Sequence, residues 1–311
     1  MAAAVEVVKR ALVLVCLLSS CSRPGPVRLV LQPPSTNNYP SYFASWMGFY
    51  KEEGVDVSIS QIAGASKILE AVVGGSADVG GGVYEQTLQM AAEGKSIVAF
   101  VSLLKSPNFA LIAAPGIHKW ADLRGKTVGV SSVGSPSQFY LTYLLNKEGV
   151  TDVSTATVGM GATAMAALEH GQVDAAVLFG SAITAYLARR PDAVILADTR
   201  TQEGLQAAFQ VTDYPASCLL AQRSWLEANP DSAKRMSRAV LRAMAWIREH
   251  SAEEILARVP SAGDSTAELA AIRLAKPMYS VDGSINKESA EAVRAIIGLK
   301  INVLSTFVNL N

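Results

Sequence analysis

The chain has 311 residues, of which half are hydrophobic, and it carries 27 basic and 27 acidic residues. This length and composition supply enough apolar surface for one or two ordinary domains and exclude a disordered chain. The balanced charge lacks the basic excess on which nucleic-acid binding depends, so we expect no nucleic-acid partner.

The first residues have the layout of a secretory signal peptide. Lys9-Arg10 precedes an apolar run over residues 11–18, which small residues follow, and the run is too short to span a bilayer. Leu18-Ser19-Ser20-Cys21 also resembles a bacterial lipobox, in which the cysteine becomes the acylated first residue of the mature chain. We expect a lipoprotein signal over residues 1–20, lipidation at Cys21 and a tether over 21–26. An ordinary signal cut near Ser20, with Cys21 left as a spare thiol, is the alternative.

The next segment reads as a βαβ opening. Residues 27–31 predict a strand, and residues 55–59 alternate as a second strand. Between them, Phe43, Trp46 and Tyr50 share one helical face, which predicts a helix ending at Gly54. Further helices are expected over 67–73 and 85–92, and further strands over 78–80, 97–103 and 110–113.

A second lobe is expected from residue 114 to 213. Its predicted strands cover 127–130 and 175–179, and its predicted helices cover 137–147, 164–170 and 182–189. After residue 213 the pattern is helical, with helices expected over 230–250, 252–259, 266–275 and 287–297, and these helices should pack back onto the first lobe. The sequence therefore predicts a two-lobed α/β protein with mostly parallel sheets, in which lobe 1 comprises 27–113 plus 214–311. Ligand sites in such sheets lie beyond the carboxyl ends of the strands.

Small, uncharged, hydrogen-bonding residues occupy the predicted strand-to-helix junctions. Backbone N–H groups at helix starts suit carboxylate, sulfonate, phosphate or nitrate groups. The same residue types cap helices in any α/β protein, which is the alternative. The predicted ligand contacts are Ser35, Thr36, Asn37, Asn38, Gly64, Ala65, Ser66, Gly81, Gly82, Ser132, Gly134, Ser135 and Ser137.

Aromatic residues lie beside the same junctions. Tyr39 and Tyr42 follow the first strand, Tyr84 follows the third, Phe179 ends a strand of the second lobe, and Tyr214 lies at the return to the first lobe. Their rings are suited to stacking on a planar ligand, with core packing as the alternative.

No motif in the sequence supports catalysis. It has no Gly-x-Ser-x-Gly elbow, no phosphate-loop lysine and no carboxylate pair on a shared face. Gly159-Met160-Gly161 matches a loose dinucleotide pattern but lacks its acid, so it is interpreted as a helix start. The histidines are far apart, and Cys218 is left without a partner, so we expect no metal, no cofactor and no disulfide. The chain is expected not to be an enzyme.

Three sequence segments together resemble a known family. They are Gly64-Ala65-Ser66 followed by residues 69–80, Leu123-Arg124-Gly125-Lys126 with its strand to 130, and residues 166–177. Their order and spacing are similar to those of the nitrate, sulfonate, taurine and thiamine-precursor binding proteins of ABC importers, the SsuA/THI5-like or NMT1 group. The resemblance implies a type II periplasmic-binding-protein fold, with two hinge crossings near residues 113 and 213.

The resemblance also implies a function. It implies that the lobes close around a small solute, which is delivered to an ABC permease and its ATPase. By position, stretches 35–42, 64–66, 81–84 and 132–137, together with Gly161, correspond to ligand contacts. We expect a monomer in the periplasm or at the cell surface, anchored through Cys21. A pyrimidine-synthesising enzyme of the same fold and a ligand sensor for a membrane partner are the alternatives, and the export signal argues against the enzyme.

Overall fold

Ten strands in residues 25–260 and 265–310, the part of the chain that the computed structural model describes, form two five-stranded sheets. The proposed signal peptide and Cys21 lie outside these residues. None of the helices within them has both the length and the apolar character that crossing a bilayer requires.

The first sheet has the order β2-β1-β3-β10-β4. Its strands are β1 (Val27–Leu31), β2 (Val57–Gln61), β3 (Val79–Val83), β4 (Ile97–Ser102) and β10 (Ser217–Gln222). Strands β1, β2 and β3 are parallel, and β10 pairs antiparallel with both β3 and β4. The helical prediction after residue 213 therefore missed a central strand.

The second sheet repeats this arrangement, with the order β7-β6-β8-β5-β9. Its strands are β5 (Phe109–Ala113), β6 (Thr127–Val130), β7 (Ser154–Thr157), β8 (Ala175–Phe179) and β9 (Val194–Asp198). Strand β5 runs antiparallel between β8 and β9. The placement of residues 110–113 in the first lobe is therefore wrong, and the first crossing lies at residues 103–108 rather than near 113. All five β5 residues are buried, and a fully apolar strand does not reveal from sequence which sheet it joins.

Thirteen helices in the described residues flank the sheets. They are α1 (Tyr39–Trp46), α2 (Phe49–Glu52), α3 (Ala65–Val73), α4 (Tyr84–Ala92), α5 (Pro136–Lys147), α6 (Ala162–Glu169), α7 (Ser181–Arg189), α8 (Gln202–Phe209), α9 (Arg223–Ala228), α10 (Pro230–Glu249), α11 (Ala252–Leu256), α12 (Ser265–Ala275) and α13 (Lys287–Ile296). The single helix expected to end at Gly54 is two helices, because Gly48 has a φ of 77° that a helix interior does not allow.

The two crossings between the sheets run side by side. Residues 103–108 lead into the second sheet and residues 210–216 return to the first. The amide of Tyr214 donates to the carbonyl of Lys105 at 3.1 Å, and the amide of Ala216 donates to the carbonyl of Leu104 at 3.0 Å. The two crossings therefore form one paired connection between the lobes.

One acidic residue in each lobe ties neighbouring strands together. Asp78, just before β3, accepts from the amide of Arg28 on β1 at 2.8 Å, and Asp174, just before β8, accepts from the amide of Thr127 on β6 at 2.9 Å. Burial acts to raise the pKa of Asp78, but its bonds to Arg28 lower it overall. Asp78 and Asp174, which belong to the sequence segments that resemble the family, therefore occupy equivalent structural positions in the two lobes.

The C-terminal helices do not all return to the first lobe. Helix α10 packs on α1 and α2, and the rings of Phe43 and Trp246 stack with centroids 5.4 Å apart. Helix α12 instead packs on α7, and Ala267 belongs to the buried cluster of the second lobe together with Ile183. The expectation that residues 214–311 pack only on the first lobe is therefore wrong for α12.

Candidate functional site

The carboxyl ends of the parallel strands in both sheets meet at the boundary between the lobes. The side-chain amide of Asn108, in the first crossing, donates to Asn37 Oδ1 at 2.7 Å and to Thr36 Oγ1 at 3.2 Å, both in the loop after β1. A Cβ atom added at Gly180, after β8, would lie 3.6 Å from Thr36 Oγ1. Loops of opposite lobes are therefore in contact, and β2, β6 and β7 end at the same carboxyl edges of the two sheets, because they run parallel to β1 or β8.

The loop after β1 is held by its own side chains. Asn38 Oδ1 accepts from the amide of Ser35 at 2.9 Å, and Asn38 Nδ2 donates to the carbonyls of Gln32 and Pro33. The carbonyl of Thr36 accepts from the hydroxyl of Tyr279 at 2.6 Å. Thr36 and Asn38 are buried and shape the loop, whereas Ser35 and Asn37 keep part of their surface exposed.

The four tyrosines that the sequence marked as ligand contacts are buried. Each hydroxyl has a partner within the protein: Glu268 for Tyr39, the carbonyl of Gln32 for Tyr42, Thr306 for Tyr84, and Glu85 for Tyr214. Burial raises the pKa of Tyr42 to about 12. In this arrangement the four rings pack in the core, as the alternative interpretation has it, and present almost no surface to a ligand. Phe179 is half-buried and tilted against Phe109.

Hydroxyl groups order the loop after β6. Ser135 Oγ donates to the carbonyl of Ser132 at 2.6 Å, and Ser137 Oγ lies 2.7 Å from Ser135 Oγ and accepts from the amide of Ser131. Ser135 and Ser137 are buried. The Ser132 hydroxyl is half-buried and makes no hydrogen bond to the part of the chain that the structure describes, so it is the hydroxyl of this loop that is available to a ligand.

Two further predicted contacts lie at exposed helix starts. Helix α3 begins after Gly64 and α6 begins after Gly161, and neither helix has a side-chain cap on its first amides. Ser66 and Gly161 are exposed. The interpretation of Gly159-Met160-Gly161 as a helix start is confirmed. Such uncapped amides are suited to an anionic group.

Gly81 and Gly82 do not form the expected junction loop. Both lie inside β3, where they pair with Leu219 and Cys218 of β10, and the junction with α4 follows at Val83. Glycine-rich sequence suggested a loop, but long-range pairing makes these residues a strand.

Sequence reasoning missed one buried acidic residue at the lobe boundary. Glu85 is completely buried in the first turn of α4, and its Oε1 accepts hydrogen bonds from Tyr140 of the second lobe and Tyr214 of the second crossing. An acidic residue directly after a strand, in a helix start, was the available signal. Within residues 25–260 and 265–310 no cluster of His, Cys, Asp and Glu is placed to hold a metal ion.

A separate surface cavity of about 440 Å³ lies at the other edge of the first sheet. Lys95, Gln222, Arg223 and Glu227 line it, near the start of β4 and the end of the antiparallel β10. It is far in the topology from the carboxyl ends of the parallel strands, where α/β sheets bind ligands. We therefore place the candidate site at the lobe boundary and not in this cavity.

Solved structures share the fold. A protein from Bordetella bronchiseptica RB50 matches with a TM-score of 0.83 and 34% identity, and the match covers 91% of this chain and 94% of that protein's chain. The periplasmic aliphatic sulphonate binding protein SsuA from Escherichia coli matches with a TM-score of 0.71 and 21% identity, and the match covers 88% of this chain and 86% of the SsuA chain. The two-lobed periplasmic-binding-protein fold is confirmed, although each sheet contains one antiparallel strand.

Curated relatives fall into two groups. The putative binding protein YtlA of Bacillus subtilis is 24% identical over 269 residues, covering 83% of this chain and 78% of YtlA. A 4-amino-5-hydroxymethyl-2-methylpyrimidine phosphate synthase of Schizosaccharomyces pombe is 28% identical over 140 residues, which is 44% of this chain and 40% of the synthase. The family model described as NMT1/THI5 like matches residues 35–254, more than half of the chain, so the chain belongs to the NMT1/THI5-like family.

Proposed function

We propose that this protein is the substrate-binding component of an ABC importer, which captures a small anionic, aromatic or heterocyclic solute between its lobes. One observation carries the proposal: loops at the carboxyl ends of strands meet at the lobe boundary, beside the paired crossings. Asn108 of the first crossing bonds to Asn37, and Gly180 of the second lobe lies next to Thr36. The extended match to a putative binding protein and the fold of SsuA support it. The protein would not be an enzyme.

A solute screen tests this function. The mature chain is screened by thermal shift with nitrate, alkanesulfonates, aromatic acids and aminopyrimidines. One of these solute classes should raise its melting temperature, because ligand binding stabilises the folded state. Calorimetry should then give one solute per chain, as a single site between the lobes requires. Conversion of a pyrimidine precursor to a new product, rather than its release unchanged, would instead favour the synthase activity named for the partial relatives.

Two serines at the boundary provide a sharper test. Replacing Ser66 or Ser132 with alanine should weaken solute binding by about 0.5–1.5 kcal/mol, or about 1.5–3 kcal/mol if the hydrogen-bonded group is charged. Folding should be unchanged, because neither hydroxyl makes a hydrogen bond within the described residues. Ser58→Ala, on the exposed face of β2, is the matched control and should bind at full strength in calorimetry. Full-strength binding by both boundary variants would place the site on other loops.

We also propose that the chain is exported and anchored to the membrane by acyl chains on Cys21. Each buried methylene adds about 0.8 kcal/mol, and more than one chain makes anchoring stable. The protein should partition into detergent, yield an N-terminal lipid peptide in mass spectrometry, and become water-soluble in the Cys21→Ser variant. Release of the unaltered protein by salt alone, with a mature chain starting elsewhere, would contradict lipidation.

Import and sensing differ in the membrane partner. An importer delivers its solute to a permease and ATPase, whereas a sensor reports occupancy to a signalling protein and moves no solute. Uptake of labelled solute by cells with and without this chain separates the two. Loss of uptake in the deletion strain is the result that importer function predicts.

A further inference from the structure

Glu85 joins three parts of the molecule through one oxygen atom. It lies in the first turn of α4, in the first lobe. Its Oε1 accepts from the hydroxyl of Tyr140, on α5 of the second lobe, at 2.5 Å, and from the hydroxyl of Tyr214, in the second crossing, at 2.6 Å. One carboxyl oxygen is thus bonded both to the opposite lobe and to the hinge.

Aromatic packing fixes both phenol groups. The ring of Tyr140 stacks on Phe109, the first residue of β5, with centroids 4.8 Å apart and planes 5° from parallel. The ring of Tyr214 meets Tyr140 edge-on, with centroids 6.2 Å apart. Because these rings are buried and packed, their hydroxyls follow the position of the second lobe and hinge rather than rotating freely.

The other oxygen of Glu85 is buried and makes no hydrogen bond within the described residues. A buried carboxylate oxygen without a donor disfavours the ionised form. Burial raises the pKa of Glu85, although the hydrogen bonds from Tyr140 and Tyr214 oppose the rise. The titratable groups that face it are those two phenols, Tyr84 and Cys218, whose own pKa values burial also raises, and none is a cation.

We propose that Glu85 is a proton-dependent latch between the lobes, a role that rests on the lobe closure proposed above. When the lobes separate, Tyr140 moves away with the second lobe and water reaches the carboxyl group, which then releases its proton to solvent. Closed lobes bind this proton more tightly than open lobes. Protonation therefore favours closure, and ionisation favours opening.

The pH window follows from the direction of the shift. Below the ordinary carboxyl pKa of 4.5, Glu85 is protonated in both arrangements and closure has its full strength. As the pH rises above that value, the open arrangement ionises first and closure weakens. The weakening ends once the pH passes the raised pKa of the closed arrangement.

Small-angle scattering of the solute-free mature chain, from about pH 5 to about pH 9, tests the latch. The wild-type radius of gyration should grow with pH, and an infrared band of a protonated carboxyl should disappear over the same range. Glu85→Gln should remain compact throughout and lack the part of the band that comes from Glu85, because the amide stays neutral while its oxygen still accepts; Asp213, whose pKa burial also raises, keeps its own contribution. Tyr140→Phe should expand at a pH lower by about one unit, because the protonated, closed form loses a hydrogen bond between the lobes that the open form does not make.

Tyr143→Phe is the matched control. Tyr143 is half-buried on the same helix and packs on Phe209 with centroids 5.4 Å apart, but its hydroxyl makes no hydrogen bond within the described residues. This variant should expand as the wild type does, and far-ultraviolet circular dichroism should show that every variant stays folded.

The latch is overturned if Glu85→Gln expands with pH like the wild type, if Tyr140→Phe matches Tyr143→Phe, or if no protein expands at all. Calorimetry with solutes at a single pH separates this outcome from failure of the proposed function. Solute binding without pH-dependent expansion refutes the latch alone. Expansion as expected, in a protein that binds no solute, refutes the importer role alone.

Discussion

Replacing Phe109 with alanine should lower the free energy of unfolding by about 3–5 kcal/mol. Phe109 is fully buried at the start of β5, directly after the first crossing. Its ring stacks on Tyr140 and contacts Phe179 and Phe209, with centroids 6.2 and 5.9 Å away. Removing it leaves a cavity that three large rings cannot collapse to fill, and urea unfolding measures the loss.

Phe139→Ala is the control for this prediction. Phe139 lies on α5 next to Tyr140, is half-buried, and takes part in none of the aromatic pairs of the described residues. It should lose less than half as much stability. Equal losses in the two variants would mean that the aromatic cluster beside the hinge contributes no more than ordinary surface packing.

Replacing Gly204 with alanine should cost about 3 kcal/mol, at the upper end of what overpacking usually costs. Gly204 lies in the first turn of α8, and a Cβ atom added there would overlap the backbone carbonyl oxygen of Asp198. Backbone cannot rotate away as a side chain can, so the turn between β9 and α8 must move. Thermal unfolding should show a lower melting temperature.

Gln206→Ala, two residues along the same helix, provides the comparison. Gln206 is exposed, and alanine is a good helix former, so its melting temperature should be nearly unchanged. A Gly204→Ala variant as stable as Gln206→Ala would show that the Asp198 turn is further from α8 than the structure has it.

Local patterns predicted the elements that they encode directly. The strand at 127–130 and the helices starting near residues 137, 182, 230 and 287 agree with the structure to within one or two residues. These segments combine a clear apolar period with start signals such as Pro136 and Pro230, at the first helical position. The resemblance to a family of two-lobed proteins could also be recognised from the sequence, because it depends on short sequence segments in a fixed order.

What sequence could not reveal depends on long-range contacts. Strand β5 is equally apolar in either sheet, and only its pairing with β8 assigns it to the second lobe. Edge strands β7 and β9 are short and partly exposed, so they lack a burial pattern.

The candidate site depends on such contacts as well. Tyr39 and Tyr84 were predicted to contact a ligand because they are aromatic residues beside strand-to-helix junctions. Their hydroxyls instead bind Glu268 and Thr306, which are more than 200 residues away in sequence. Glu85 was missed for the same reason, because Tyr140 and Tyr214 reach it only in the folded chain.

Hydrogen exchange with and without the bound solute tests interlobe capture most directly. The solute identified by calorimetry should slow amide exchange in both lobes at once, in the loops after β1 and β2 and in those after β6 and β7. The surface near Lys95 and Glu227 should be unaffected. Protection confined to one lobe, or centred on that outer surface, would contradict capture of a solute between the lobes.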